Sequence, residues 1–258
     1  MSLIKNNKSA LVTGASGAIG GAICEELLKN GIKYLAVLDM NSQEPKILND
    51  WKKSYPSVLI KYFQVDVTSR EELEKCYSVF TKAVPSLDIV INCAGIFNEK
   101  DPTRVINVNL NGVIESTRIA IDHMRIDTGK GKGGTIINIS SVSGLNVFSG
   151  SPAYSASKFG VVAYTRALAH GRDHLGIKFL ILCPSGTDSV FYERAFSTKY
   201  LFMTTEETVA KRRKLLPAQS PSEVGKATVE IMQIGKSGSV WTIRNGELAE
   251  EELPAIRI

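Results

Sequence analysis

The feature that most constrains the fold is a regular alternation between short apolar runs and longer segments with helical periodicity. Seven runs predict strands, at residues 9–12, 34–38, 58–63, 89–91, 135–139, 178–182 and 239–243. Six segments predict helices, at residues 19–30, 45–54, 70–84, 103–125, 152–175 and 221–234. Alternation of this kind is typical of a parallel sheet with helices on both faces. We therefore predict an α/β fold with a single Rossmann-type, doubly wound parallel sheet of seven strands.

Three of the predicted helices have start signals in the sequence. Ser69 is followed three residues later by Glu72, and Ser220 stands three residues before Glu223, as in a capping box. Pro152 opens a further helix, where its missing N–H costs nothing. Ligands of a doubly wound sheet bind beyond the carboxyl ends of its strands, so a functional site is expected at that edge.

Length and composition indicate one globular domain. No linker rich in Pro, Gly or Ser divides the 258 residues, and a hydrophobic fraction of 43% with 22% charged residues suffices for a large core. We expect a single domain over residues 1–258. The N-terminal apolar run is too short for a signal peptide or a membrane span, so we expect a cytoplasmic protein without a membrane span.

The net charge of +5 does not by itself indicate an acidic partner. The densest basic cluster, residues 211–214, lacks interleaved aromatic residues and is interpreted as a solvated helix face, so no nucleic acid is expected. No metal site is predicted, because the cysteines lie far apart and the histidines have no partners at ligand spacing. These residues are Cys24, Cys76, Cys93, Cys183, His123, His170 and His174.

A glycine-rich loop, T-G-A-S-G-A-I-G at residues 13–20, joins the first predicted strand to the first helix. Glycines let such a loop turn tightly and approach a pyrophosphate, and the helix N-terminus supplies amide donors. Asp39 ends the second predicted strand, where a carboxylate binds ribose hydroxyls and repels a 2′-phosphate. Met40 follows it, so no Arg or Lys stands next to it to neutralise such a phosphate. We therefore predict NAD rather than NADP.

Residues at the ends of the third and fourth strands are also predicted to contact the cofactor, because they share its edge of the sheet. They are Asp66 and Val67 at the third strand, and the segment N-C-A-G at residues 92–95 at the fourth. Asp66 could instead cap a helix, and Gly95 could be a plain turn residue.

Four polar residues carry the predicted chemistry. Tyr154 and Lys158 stand four residues apart, which places them one turn apart on the same helix face. Ser141 precedes Tyr154 by thirteen residues, next to its competitor Ser140. Asn109 lies further upstream between two other asparagines, and local sequence alone does not choose among the three.

With these motifs in this order, the sequence resembles the single-domain short-chain dehydrogenases/reductases over essentially its whole length. Within that superfamily it is most similar to the insect alcohol dehydrogenases and to 15-hydroxyprostaglandin dehydrogenase-like proteins. The resemblance implies the catalytic residues Asn109, Ser141, Tyr154 and Lys158. The full set of predicted cofactor-binding residues is Gly14, Ser16, Gly17, Ala18, Ile19, Gly20, Asp39, Met40, Asp66, Val67, Asn92, Ala94, Gly95, Tyr154, Lys158, Pro184, Thr187 and Ser189.

The implied activity is alcohol oxidation, which needs a base for the hydroxyl proton. A free phenol, with a pKa of about 10, is too weakly acidic to supply that base at neutral pH. An ammonium at about 4 Å, with an effective dielectric of about 20, would stabilise the phenolate by roughly 4 kcal/mol, or about three pKa units. We therefore predict Tyr154 as general base, helped by Lys158, with Ser141 orienting the substrate oxygen and Asn109 holding a water near Lys158.

The substrate and the assembly are predicted more coarsely. Residues 190–218 are rich in aromatic and aliphatic side chains and form either a pocket wall for an apolar alcohol or a surface helical excursion. Residues 154–169 are apolar on more than one helix face, which indicates a homodimer or homotetramer. Two other functions remain open, an NADPH-dependent carbonyl reductase and a non-catalytic NAD-binding redox sensor.

Overall fold

The computed structural model describes residues 4 and 7–256. The strands are β1 (Ser9–Thr13), β2 (Tyr34–Asp39), β3 (Leu59–Gln64), β4 (Ile89–Asn92), β5 (Gly134–Ile139), β6 (Ile177–Pro184), β7 (Val240–Arg244) and β8 (Glu247–Glu250). The α-helices are α1 (Ala18–Lys29), α2 (Ile47–Ser54), α3 (Arg70–Thr81), α4 (Pro102–Ile106), α5 (Gly112–Met124), α6 (Pro152–Ala169), α7 (Val190–Ala195), α8 (Glu206–Leu215) and α9 (Pro221–Ile234).

The strands form one sheet in the order β3-β2-β1-β4-β5-β6-β7-β8. Strands β1 to β7 are parallel, which confirms the prediction of an α/β, Rossmann-type sheet. The predicted number of seven strands is wrong, because β8 pairs antiparallel with β7. Its sequence, E-L-A-E, is largely exposed and has little strand propensity. Backbone pairing holds it, after a turn in which Asn245 and Gly246 both have positive φ.

Two predicted helices are interrupted in the structure. The segment 103–125 is divided into α4, a π-helical turn at Asn107–Asn111 and α5. The segment 152–175 leaves the helix after Ala169, because His170 is extended and Gly171 has a φ of 68°. A separate 3₁₀ turn then covers Asp173–Leu175.

The predicted helix starts are confirmed. The Ser69 hydroxyl accepts a hydrogen bond from the Glu72 N–H. Ser220 and Glu223 form a capping box, and Pro152 is the first residue of α6. Local chemistry therefore determines these three boundaries.

Both faces of the sheet are buried, as a parallel sheet requires. Successive residues of β1 show this, because Ala10 and Val12 pack into one hydrophobic cluster and Leu11 into another. The cluster of Ala10 includes side chains of α1 and α9, and the cluster of Leu11 includes side chains of α3 and α5. Among the described residues, no helix has the length and apolar character needed to cross a membrane.

Candidate active site

A cavity lies at the carboxyl edge of the sheet. It is lined by residues at or directly after the ends of five parallel strands: Gly14, Asp39, Cys93, Ser140 and Pro184. Its wall continues into the start of α6 and into α7 and α8. The residues at the five strand ends are far apart in sequence and meet here only because the strands are parallel and adjacent.

The glycine loop gives one end of this cavity the shape that a dinucleotide needs. Gly14 has a φ of 67°, and a Cβ there would lie 2.6 Å from the Ala94 Cα. A Cβ on Gly20 would overlap the backbone of Gly14, so α1 packs directly against the loop. Helix α1 begins after Gly17 and points its free N–H groups toward the cavity edge. This backbone arrangement fits a pyrophosphate.

Asp39 closes the same end of the cavity. Its carboxylate accepts hydrogen bonds from the backbone N–H of Ser16 at 3.0 Å and of Asn41 at 3.3 Å. These contacts hold the acidic group against the glycine loop, where ribose hydroxyls of a dinucleotide would bind.

The predicted cofactor residues divide into two groups. Those on the cavity wall are Gly14, Gly17, Ala18, Ile19, Gly20, Asp39, Gly95, Tyr154, Lys158, Pro184, Thr187 and Ser189. Those away from the described wall are Ser16, Met40, Asp66, Val67, Asn92 and Ala94. The Asp66 carboxylate accepts from Thr68 in a turn, and the Asn92 side chain bonds within the core to Ser116, Thr117 and Asn138.

The Tyr154 ring is buried between aromatic side chains. Its centroid lies 5.1 Å from that of Phe97 and 5.6 Å from that of Phe191. The Lys158 Nζ lies 5.8 Å from the Tyr154 centroid and donates a 3.0 Å hydrogen bond to the Ile139 carbonyl. The two side chains therefore share one face of α6, as their spacing predicts.

Burial dominates the titration of both groups. It raises the pKa of Tyr154 to about 12, against the opposing effects of a hydrogen bond with the Ser141 side chain and of the Arg212 charge. It lowers the pKa of Lys158 to about 8. The predicted lowering of the Tyr154 pKa toward neutrality by Lys158 is thus not found, because desolvation outweighs the favourable charges.

The structure distinguishes the two serines that compete at the end of β5. Ser140 turns inward, and its hydroxyl donates to the Lys158 carbonyl at 2.9 Å. Ser141 faces Tyr154, with which its side chain hydrogen-bonds, and it also accepts from the Ser143 N–H at 3.1 Å. Ser141 is therefore the serine placed to meet a substrate oxygen beside Tyr154.

Asn109 differs from its two asparagine neighbours in the π-helical turn. It is fully buried, accepts from the Ile96 N–H at 2.8 Å, and donates to the Ile96 carbonyl and to Ser157. Asn107 and Asn111 instead hydrogen-bond each other at 2.9 Å. The π-helical turn thus directs one of the three asparagines toward the site, which π-bulges often do.

Two charged residues at the site were missed by the sequence reasoning. Glu99 is buried and accepts hydrogen bonds from the backbone N–H groups at the start of α6, a contact with no local signal. Arg212 is only 9% exposed and lines the cavity, so the interpretation of residues 211–214 as a solvated face is wrong for this residue. Its spacing from the buried Val209 and Leu216 is helical and could have revealed it.

The sheet has the strand order of a Rossmann-type oxidoreductase. As in that architecture, a buried tyrosine and lysine line the same cavity as a glycine loop whose shape fits a dinucleotide. The family model described as short chain dehydrogenase matches residues 8–199, and the chain belongs to this family. Members of the family bind a nicotinamide cofactor, which the glycine loop and Asp39 fit.

Curated relatives agree with this assignment, and a solved structure agrees with the fold. Alcohol dehydrogenase 1 of Ceratitis cosyra is 29% identical over 245 residues, or 94% of each chain. The human 15-hydroxyprostaglandin dehydrogenase [NAD(+)] is 36% identical over 193 residues, or 73% of this chain and 71% of that protein. A solved levodione reductase shares the fold with a TM-score of 0.80 at 21% identity, over 94% of this chain and 98% of that one.

Proposed function

We propose that this protein transfers hydride between a secondary or apolar alcohol and NAD, with Tyr154 as general base. The observation that carries the proposal is that Tyr154 and Ser141 line the same cavity as the glycine loop and Asp39. When bound there, the cofactor supplies a hydride acceptor. The protein must therefore orient the alcohol and remove its hydroxyl proton.

The four predicted catalytic residues divide these tasks. Ser141 hydrogen-bonds the substrate oxygen, and Tyr154 in its phenolate form receives the proton. Because burial raises the pKa of Tyr154 to about 12, the positive charge of oxidised nicotinamide, when bound, would have to lower it for the phenolate to form near neutral pH. Lys158 and Asn109 both approach Gly95, since a Cβ at that residue would lie 3.8 Å from the Lys158 Nζ and 3.4 Å from the Asn109 Oδ1. A water held beside these two polar groups would pass the proton from the tyrosine toward solvent.

The proposed substrate class rests on the aromatic wall around Tyr154 and on the relatives. Phe97 and Phe191 leave little room for a hydrated polar substrate beside the tyrosine ring. An alcohol dehydrogenase and a hydroxyprostaglandin dehydrogenase among the relatives favour a simple or a 15-hydroxyprostaglandin-like alcohol.

The test mixes the protein with NAD and a panel of secondary alcohols and measures the rise in absorbance of the reduced cofactor. Tyr154→Phe should lower kcat/KM by at least about 100-fold. Tyr164→Phe is the matched control, because Tyr164 lies on the same helix and its hydroxyl donates to the Ile114 carbonyl at 3.4 Å, the one hydrogen bond described for its side chain. Turnover that survives Tyr154→Phe would refute the proposed base. Turnover of ketones with NADPH, and of no alcohol with NAD, would favour a carbonyl reductase. Binding of NAD without any turnover would favour a redox sensor.

The preference for NAD is tested at Asp39. Wild-type protein should use NAD in preference to NADP, because the carboxylate repels the 2′-phosphate. Asp39→Ser combined with Met40→Arg should change the ratio of kcat/KM for the two cofactors by about 100-fold in favour of NADP. Asp50→Asn removes an exposed acid and controls for net charge.

The proposal extends to the whole chain. We assign residues 1–258 to one catalytic domain in the cytoplasm, of which residues 1–3, 5, 6, 257 and 258 lie outside the described part. Helix α6 exposes a row of small or apolar side chains, which favours a homodimer or homotetramer: Ala156, Phe159, Ala163 and Ala167. Light scattering should show an oligomer that Phe159→Glu weakens.

A further inference from the structure

Arg212 occupies an unusual position for an arginine. It lies on α8, is 9% exposed, and reaches the cavity that Tyr154 lines. Its Cζ lies 5.2 Å from the ring centroid of Phe148 and 5.4 Å from that of Phe196. Both rings lie within cation–π distance of the guanidinium, and they help to separate it from water.

The buried guanidinium has no ionic partner in the part of the chain that the structure describes. Its Nε and Nη1 are buried and make no hydrogen bond there. The basic residues on either side are paired with glutamates, Lys211 with Glu207 at 2.7 Å and Arg213 with Glu193 at 2.9 Å. The charges of these two exposed neighbours are therefore neutralised, and that of the buried Arg212 is not.

Glu99, the nearby acid, is not the ionic partner of Arg212. Glu99 acts on Arg212 electrostatically, but it forms no ion pair with it among the described contacts, and its two oxygens accept from the backbone N–H groups of Ala153 and Tyr154. Burial lowers the pKa of the Arg212 side chain, which reflects the cost of keeping the cation away from water. A buried charge of this kind is usually paired or coordinates a ligand.

We propose that Arg212 determines substrate specificity by binding a carboxylate on the substrate. The substrate is therefore an apolar alcohol that also carries an anionic group. This inference rests on the proposed function, because it assigns the cavity to an alcohol. A guanidinium presents paired N–H donors that match a carboxylate. Arg212 lines the cavity, and neither its Nε nor its Nη1 is hydrogen-bonded to another described residue. The aromatic side chains that line the same cavity, Phe97, Phe191 and Phe196, would contact the apolar part of the same molecule.

The first test measures binding without turnover. Isothermal calorimetry on the NAD-saturated protein compares octanoate with methyl octanoate, which differ in charge and little in apolar surface. Octanoate should bind at least about 10-fold more tightly to the wild type, and Arg212→Met should remove this preference. Arg212→Lys, which keeps the charge and loses the planar fork, should retain part of it.

The matched control is Lys214→Met, which removes one positive charge from the exposed side of the same helix. It should leave the preference for octanoate unchanged. Circular dichroism and thermal melting confirm that the Arg212 variants fold. Equal binding of the acid and the ester by the wild type, or an unchanged preference in Arg212→Met, would overturn the carboxylate site.

The second test measures turnover of secondary hydroxyalkanoates, with the hydroxyl at different distances from the carboxylate, and of their methyl esters. The ratio of kcat/KM for acid over ester should fall at least about 10-fold in Arg212→Met. An equal loss for both substrates would mean that Arg212 acts on the Tyr154 charge instead, and would refute the proposal. If no alcohol is oxidised but octanoate still binds through Arg212, the proposed function fails while the carboxylate site stands.

Discussion

The carboxylate of Glu99 accepts a hydrogen bond of 2.8 Å from the backbone N–H of Tyr154. Its second oxygen accepts from the N–H of Ala153 at 3.0 Å. The first N–H groups of a helix have no partner within the helix, and a negative charge there also interacts favourably with the helix dipole. Glu99 thereby holds the start of α6, the helix that carries both Tyr154 and Lys158.

Glu99→Gln should lower the free energy of unfolding by about 1–3 kcal/mol, because the amide has one acceptor oxygen and no charge. It should also lower kcat, since the start of α6 positions Tyr154. Urea denaturation and steady-state kinetics measure the two effects. Glu71→Gln, an exposed acid in the first turn of α3, should change stability by only a few tenths of a kcal/mol. Equal effects of the two substitutions would contradict the role of Glu99.

Asn109→Ala should destabilise the protein by about 2–4 kcal/mol, because it removes two hydrogen bonds of a fully buried side chain to the partly buried N–H and carbonyl groups of Ile96. Among the described contacts, Asn107→Ala removes the one side-chain hydrogen bond to Asn111, and it should cost under about 1 kcal/mol. Chemical denaturation of both variants provides the comparison. A loss of stability in Asn107→Ala as large as that in Asn109→Ala, or larger, would contradict the different roles of the two residues in the π-helical turn.

Lys158 should make the stability of the protein depend on pH in the alkaline range. Burial lowers its pKa from 10.5 to about 8, so below pH 8 the folded protein carries the full cost of a buried ammonium. Between pH 8 and 10.5 the folded state releases the proton before the unfolded state does, and stability therefore increases with pH. Relative to Lys158→Met, the wild type should gain about 3 kcal/mol across this window.

Urea midpoints of both proteins, measured from pH 7.5 to 10.5, check this expectation. Taking the difference from the Met variant cancels the contribution of Tyr154, which titrates in both. Lys130→Met, at an exposed site, controls for the loss of one charge. A difference that stays constant over the range would contradict the depressed pKa.

Gly14→Ala should destabilise the protein by more than the strain of its positive φ alone would cost. The positive φ costs about 1–2 kcal/mol for alanine, and the new Cβ would also clash with the Ala94 backbone, adding about 1–3 kcal/mol. Gly129→Ala is a matched control, because Gly129 has a φ of 71° and no atom within 4 Å of the added Cβ. The difference in melting temperature isolates the close approach, and calorimetry should show that only Gly14→Ala weakens NAD binding.

Most of the fold was predictable because its signals are local. Apolar runs and helical periodicity predict the seven parallel strands, and the caps at Ser69 and Ser220 predict where two helices begin. Strand β8 was not predictable, because its polar residues are held by backbone pairing with β7 rather than by their own propensity. The π-helical turn was missed for a related reason, since the periodicity of residues 103–125 fits an uninterrupted helix.

The sequence by itself determined the alternation of strands and helices, the glycine loop at the end of β1 and the one-turn spacing of Tyr154 and Lys158. Each of these depends on residues close together along the chain. Only the tertiary structure decided that Glu99 holds the start of α6 and that Arg212 is buried with no ionic partner among the described residues. The burial and pairing of a charge depend on surfaces brought together from distant segments, and the side chain itself does not encode them.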